Sequence, residues 1–191
     1  SWRADPATGL LQIPSAGDNV MLTLDIKLQE VVEESLRRHV PGMTEESQKA
    51  ACVVVDMSGG VLAAASFPSY DPAEYYSNYN DLQGLYAPGS TFKMAVAAGA
   101  LEEGVITRKE KILDTGRYRH YDRIEDQPMC WYFRQYGRTH GYVNVSEAIR
   151  DSCNVYFYET GLRLGIGKLD DYAARFGLGQ ATGLELYEAV G

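Results

Sequence analysis

Residues Tyr86–Lys93 read YAPGSTFK, and the interpretation of the whole chain turns on them. Pro88-Gly89 marks a loop, and Ser90 stands where that loop gives way to a helical pattern through Met94, Ala97, Ala98 and Leu101 to Gly104. Lys93 follows three residues later, so both side chains share one helix face. A serine hydroxyl is a weak nucleophile until a neighbouring base takes its proton. A lysine becomes such a base when desolvation lowers its pKa. The helix N-terminus adds about half a positive charge near a developing oxyanion. The bland alternative is that Ser90 caps the helix and Lys93 is a surface lysine.

Further along, Ser152-Cys153-Asn154 lies 62 residues after Ser90, between two expected helices. One starts at the capping-box sequence Asn144-Val145-Ser146-Glu147 and runs to about Arg150. The other runs from about Asn154 to Arg163. A second hydroxyl beside Ser90 and Lys93 can shuttle a proton to a leaving amine, and an adjacent Asn can hold a substrate amide. Simple helix capping is again the competing explanation.

Before the first motif, Val20–Leu24 reads as a short strand. Asp25 reads as the N-cap of a helix over about 26–39. Ala50–Asp56 and Val61–Phe67 read as a hairpin joined by Met57-Ser58-Gly59-Gly60, its first strand apolar on both faces as in a sheet centre. The long stretch 68–89 is loop-like and rich in tyrosine; Tyr70, Tyr75, Tyr76, Tyr79 and Tyr86 either wall a cleft or pack. Residues 105–140 are polar without a clear period, and a last short helix is expected over Lys168–Phe176.

The order and spacing of the two motifs match two of the three signatures shared by penicillin-binding proteins and serine β-lactamases. The chain resembles the transpeptidase domain of a class B penicillin-binding protein, of the elongation (rod-shape) subtype. Leu22-Thr23-Leu24-Asp25 with Leu28-Gln29 is similar to the family's opening strand and first helix, and Ala51–Pro72 to its first hairpin. Tyr86–Lys93, Gly141–Tyr158 and Phe176–Leu186 carry the rest of the resemblance. It implies an α/β (α+β) fold with an antiparallel sheet and helices. Residues 1–19 would end an upstream non-catalytic region, and residues 20–191 would form the N-terminal part of the transpeptidase domain. The third signature, Lys-Ser/Thr-Gly, is absent: Asp114-Thr115-Gly116 and Ala181-Thr182-Gly183 both lack the lysine. The resemblance therefore implies a piece that stops before that strand, with activity of its own open to question.

The resemblance also implies a chemistry. Ser90 attacks the penultimate D-Ala carbonyl of a peptidoglycan stem peptide with Lys93 as base. Ser152 protonates the departing D-Ala, Asn154 holds the substrate, and the amine of a neighbouring stem releases the acyl-enzyme. β-Lactams would mimic the donor. The parent would be membrane-anchored outside the cytoplasm and work with cell-elongation membrane proteins. Catalysis of this kind needs no cofactor.

Cys130, His140 and Cys153 form a further constellation around the second motif. Thiolate and imidazole favour zinc, and a carboxylate completes a tetrahedral set. Asp114 is the candidate, with Asp122 and Asp126 behind it. These positions look like a metal site carried by some elongation-type relatives. A Cys130–Cys153 disulfide is the rival, and buried free cysteines with a structural histidine are the bland reading.

Composition narrows the alternatives. The 191 residues are 45% apolar and 23% charged, which is globular. The net charge of −8, without a basic block, argues against nucleic acid as partner. Apolar runs fall far short of the ~18 residues of a membrane span. Two rival functions remain. A serine β-lactamase would need a deacylating base, and Glu159-Thr160-Gly161-Leu162-Arg163 does not match the family's Glu-x-x-Leu-Asn. A non-catalytic module that keeps the fold and binds substrate or a partner has the missing third signature as its main support.

Overall fold

The computed structural model describes residues 3–4, 7–8, 11–12, 17–43, 49–69, 85–120 and 127–184. Tyr70, Tyr75, Tyr76, Tyr79, Asp122, Asp126 and the tail 185–191 lie outside the described residues. The chain divides into two compact units, Ser1–Leu82 and Gln83–Gly191.

In the first unit, β1 (Arg3–Ala4) pairs antiparallel with β2 (Leu11–Gln12). Helix α1 (Ile26–His39) starts where its cap predicts: Asp25 Oδ1 accepts from the Lys27 and Leu28 amides at 2.9 and 3.1 Å. Arg37, Arg38 and His39 in its last turn suit the negative end of the helix dipole. Strands β3 (Ala50–Val55) and β4 (Val61–Phe67) form the expected antiparallel hairpin. Its turn is organised by Asp56, whose Oδ1 accepts from the Ser58 amide, the Ser58 hydroxyl and the Gly60 amide at 2.7–2.9 Å. Gly59, at φ 91°, takes the left-handed conformation there. Val32 packs on Ala63 and Ala65, flanked by Leu28, Leu36, Cys52 and Val54.

Two sequence expectations need correction in this unit. Val20–Leu24 is irregular rather than a strand, with Val20 83% and Met21 96% exposed. Backbone groups of Val61, Leu62 and Ala64 in β4 are taken by other donors and acceptors. Thr23 Oγ1 donates to Val61 O, Asp25 N donates to Leu62 O, and the Gln29 side-chain amide bonds both N–H and C=O of Ala64. A side chain thus occupies the edge that a ladder would use. Strand β3 is also not covered on both faces, since Val53 and Val55 are about half exposed (50% and 52%). Among the described residues its ladder partner is β4 alone.

The second unit is built around α2 (Lys93–Glu102), which follows a 3₁₀ turn at Gly89–Phe92. Ala95, Val96, Ala97, Gly99 and Ala100 bury one broad face of it, while Met94 and Leu101 lie on the more exposed side. Around it lie β5 (Ile112–Asp114), α3 (Trp131–Tyr136), β6 (Gly141–Val143), α4 (Val145–Arg150), α5 (Asn154–Leu164) and α6 (Ile166–Arg175). Helix α4 opens with the expected capping box, Asn144 and Glu147 exchanging bonds at 3.0 and 2.8 Å. The core joins Val96, Ala97 and Ala100 to Ile112, Val143, Val155, Tyr156 and Phe157.

The described parts of the polar stretch, 105–120 and 127–140, fold back on one another. Strand β5 pairs antiparallel with β6, Arg117 bridges to Met129, and the Cys130 amide donates to Gly116 O at 2.8 Å. Its strands of three residues are too short to leave a period in the sequence.

Small residues on α2 permit close approach. A Cβ added at Gly99 would lie 2.8 Å from the Tyr172 ring and 3.1 Å from Leu164. Gly99→Ala sets a helix-propensity gain of about 1 kcal/mol against an overpacking cost of about 1–3 kcal/mol. The ring cannot withdraw without disturbing the α2–α6 contact, so the clash prevails and the melting temperature falls by a few degrees in a thermal denaturation experiment. A rise would contradict this packing.

Candidate active site

The 3₁₀ turn before α2 puts Ser90 on the surface, one tight turn ahead of the half-buried Lys93. In such a turn residues i and i+3 eclipse. The junction between α4 and α5 supplies Ser152 and Asn154 from the other side. Ser152 Oγ donates to Ser90 Oγ at 2.9 Å. Lys93 Nζ donates to Ser152 O at 2.9 Å and to Asn154 Oδ1 at 2.6 Å, and lies 2.9 Å from Ser152 Oγ. The four residues named from the sequence are thus brought together, and Ser90 reaches Lys93 through Ser152. Loss of solvent around the ammonium pushes the Lys93 pKa below its ordinary value, only partly opposed by the Cys130 and Cys153 sulfurs.

The Ser152 backbone makes this geometry. At φ 51° it is the one non-glycine in the left-handed region among the described residues. That conformation turns its hydroxyl and its carbonyl toward the same ammonium. Asn154 Nδ2 donates to Met129 O at 3.2 Å, which fixes the end of the amide presented to Lys93. Sequence reading missed Met129, because a main-chain carbonyl carries no residue-type signal.

Behind this turn lie Asp114, Cys130, His140 and Cys153, their ligand atoms all within 4.8 Å of one another. Asp114, Cys130 and Cys153 are at most 1% exposed. Asp114 comes from the end of β5, and His140 directly precedes β6. Cys130 and Cys153 occupy the positions just before α3 and α5, without capping them through their side chains. Asp114 Oδ2 accepts from the His140 amide at 3.0 Å and lies 2.8 Å from its Nδ1, while Oδ1 accepts from the Gly116 amide at 2.8 Å. Burial works against the Asp114 charge, but these bonds override it and hold its pKa below the usual carboxylate value. Burial pushes the Cys153 thiol up to about 12. Both cysteines are free thiols. The sequence indicated all four residues, whereas the contribution of Gly116, which Asp114 needs as a donor, was not legible.

Tetrahedral zinc, with bonds of about 2.0–2.3 Å, sets its ligand atoms roughly 3.3–3.8 Å apart. Two sulfurs, an imidazole nitrogen and a carboxylate oxygen gathered within 4.8 Å match that donor set; the 2.8 Å His140–Asp114 pair would open slightly and the widest pairs contract.

Comparison with known proteins agrees with this architecture. The sequence profile described as "Penicillin binding protein transpeptidase domain" matches residues 50–191. The peptidoglycan D,D-transpeptidase MrdA of Escherichia coli K12 is 36% identical, over 92% of this chain and 28% of its own length. The stage V sporulation protein D of Bacillus subtilis is 33% identical, over 91% of this chain and 26% of its own. The chain therefore spans less than a third of the length of these relatives. Among solved structures, Pseudomonas aeruginosa PBP2 in complex with WCK 5153 superposes with a TM-score of 0.69 at 32% identity, covering 89% of this chain and 40% of that one. The imipenem acyl-enzyme of penicillin-binding protein A from M. tuberculosis gives 0.69 at 26% identity, covering 88% and 43%. With the profile matching most of the chain and the two motifs meeting in one site, the protein belongs to the penicillin-binding protein transpeptidase family.

Proposed function

We propose that this chain carries the nucleophile half of a serine D,D-transpeptidase site that cross-links peptidoglycan stem peptides and is acylated by β-lactams. The observation that carries the reading is the continuous hydrogen-bonded path from Ser90 Oγ through Ser152 Oγ to Lys93 Nζ. Ser90 Oγ attacks the penultimate D-Ala carbonyl and forms the C–O bond. Its proton passes along the path to Lys93, which acts in its neutral form. Collapse of the tetrahedral adduct breaks the C–N bond, and the D-Ala amine leaves with a proton returned through Ser152. The amine of a neighbouring stem then attacks the ester carbonyl, and Ser90 recovers its proton. In this reading Asn154, whose Oδ1 serves Lys93 and whose Nδ2 is bonded to Met129 O, keeps one amide hydrogen for the substrate.

A parent protein anchored in the membrane with this domain outside the cytoplasm, working with cell-elongation membrane proteins, fits the substrate and the kinship with MrdA. No helix among the described residues is long and apolar enough to cross a membrane.

The cluster behind the site is proposed as a structural zinc centre held by Asp114, Cys130, His140 and Cys153. Four protein ligands would close the coordination sphere and leave no place for a catalytic water. The zinc would bring Lewis acidity that holds both sulfurs as thiolates and ties the 105–140 stretch to the turn bearing Ser152. Catalysis itself needs no cofactor.

Three outcomes are expected. In the intact protein, Ser90→Ala abolishes covalent labelling by a fluorescent penicillin, while Lys93→Ala slows it by about 10²–10⁴-fold. A labelled Ser90→Ala protein, or an adduct that turns over rapidly as in a β-lactamase, overturns the reading. Next, since Lys93 must be neutral to accept the proton and its pKa is lowered, acylation accelerates as pH rises. It should level off below the ordinary lysine value of about 10.4. A rate that falls over that range contradicts a lysine base. Finally, elemental analysis finds about one zinc per chain, and its chelation lowers the melting temperature; a thousandfold excess over Kd stabilises by about 4 kcal/mol. Protein free of zinc with Cys130 and Cys153 oxidised together would replace the metal with a disulfide.

A further inference from the structure

The Ser152 turn needs an external hold. A left-handed serine persists only where its surroundings over-determine it. Two bonds at the turn are local continuations of α4: Ser152 N donates to Ile149 O at 3.2 Å and Cys153 N to Ala148 O at 2.9 Å. They fix the turn to its own helix, but not to the elements facing it. Lys93 Nζ, from α2, holds the carbonyl that follows the Ser152 Cα, and the peptide that precedes it takes a separate bond. The indole Nε1 of Trp131, 20 residues away in sequence, donates to the carbonyl of Asp151 at 3.0 Å. That carbonyl belongs to the peptide whose nitrogen is Ser152 N, so the indole holds the plane that sets the Ser152 φ.

Trp131 is well placed for this. It is the first residue of α3, and its two predecessors are committed to the same turn by other means: Met129 O receives the Asn154 amide, and Cys130 packs beside Cys153. Its ring lies edge-on to Tyr132 and Tyr136, centroids 5.6 and 6.3 Å away, and is tilted to His140 at 6.2 Å. These contacts fix the direction of the N–H. The indole is 39% exposed, too open for burial alone to account for its placement.

We propose that Trp131 is a positioning residue for the acylation step: its indole N–H clamps the Asp151 carbonyl and so keeps the Ser152 hydroxyl between Ser90 and Lys93. The catalytic consequence rests on the transpeptidase reading, while the clamp itself does not. Without the clamp the turn opens more often, Ser152 leaves the proton path, and substrate binding is unaffected.

Trp131→Phe tests this in the intact protein, since it keeps an aromatic ring and removes the donor. Amide hydrogen exchange at Ser152 and Cys153 should accelerate about tenfold, the scale of one modest hydrogen bond, while amides of β3, β4 and α2 keep their rates. The first-order acylation rate constant for benzylpenicillin should fall about tenfold with the non-covalent dissociation constant unchanged. Unchanged exchange at the turn, equal acceleration throughout, or a looser turn with undiminished acylation would each overturn the proposal. Wild-type protein that fails to label would refute the transpeptidase reading, and exchange at the turn would still decide the clamp. If the variant does not fold, the Trp131 indole N–H of the unmodified protein decides: slow exchange supports the clamp, and exchange as fast as a free indole overturns it.

Discussion

A lysine ammonium can leave bulk water only if its protons find acceptors, and Lys93 finds all of them within one turn of chain. Ser152 supplies a carbonyl and a hydroxyl, and Asn154 supplies an amide oxygen. This meets the requirement that a desolvated charge be compensated, yet it leaves the group poised toward neutrality, because hydrogen bonds to neutral acceptors offset burial less well than a counter-ion would. A carboxylate in place of Asn154 would raise the lysine pKa and hold its proton. Polar but uncharged partners leave desolvation as the stronger influence, and the Lys93 pKa stays lowered.

The same constraint shapes the surroundings. To offer both its oxygens to one ammonium, Ser152 takes a backbone conformation unfavourable for a residue with a Cβ. The neighbouring elements answer that strain. Cys153 anchors the turn inward among Asp114, Cys130 and His140, and the Met129 carbonyl holds Asn154. Asp114 in turn depends on the amides of His140 and Gly116. Gly116 sits at φ 82°, with the Phe133 ring 2.4 Å from where a Cβ would be, so only glycine brings that amide to the carboxylate. The polar cluster and the hydrogen-bonded chain from Ser90 to Lys93 are thus successive layers around one turn.

Pieces governed by local rules were legible from the residues alone. Asp25, Asn144 and the Met57–Gly60 turn acted where their short-range chemistry predicts, because caps and turns are satisfied within a few residues. The motif residues Ser90, Lys93, Ser152 and Asn154 were legible because their spacing is shared with a family, and the cysteine–histidine set because few residue types do that chemistry. The tertiary structure alone decided what depends on non-local pairing. It placed the Gln29 amide on β4 in place of a strand at Val20–Leu24, left β3 half exposed, and folded 105–140 through strands too short to show a period. It also decided the order of the hydrogen-bonded chain, Ser90 to Ser152 to Lys93. That order is set by backbone torsion and main-chain carbonyls, and neither is written in residue type.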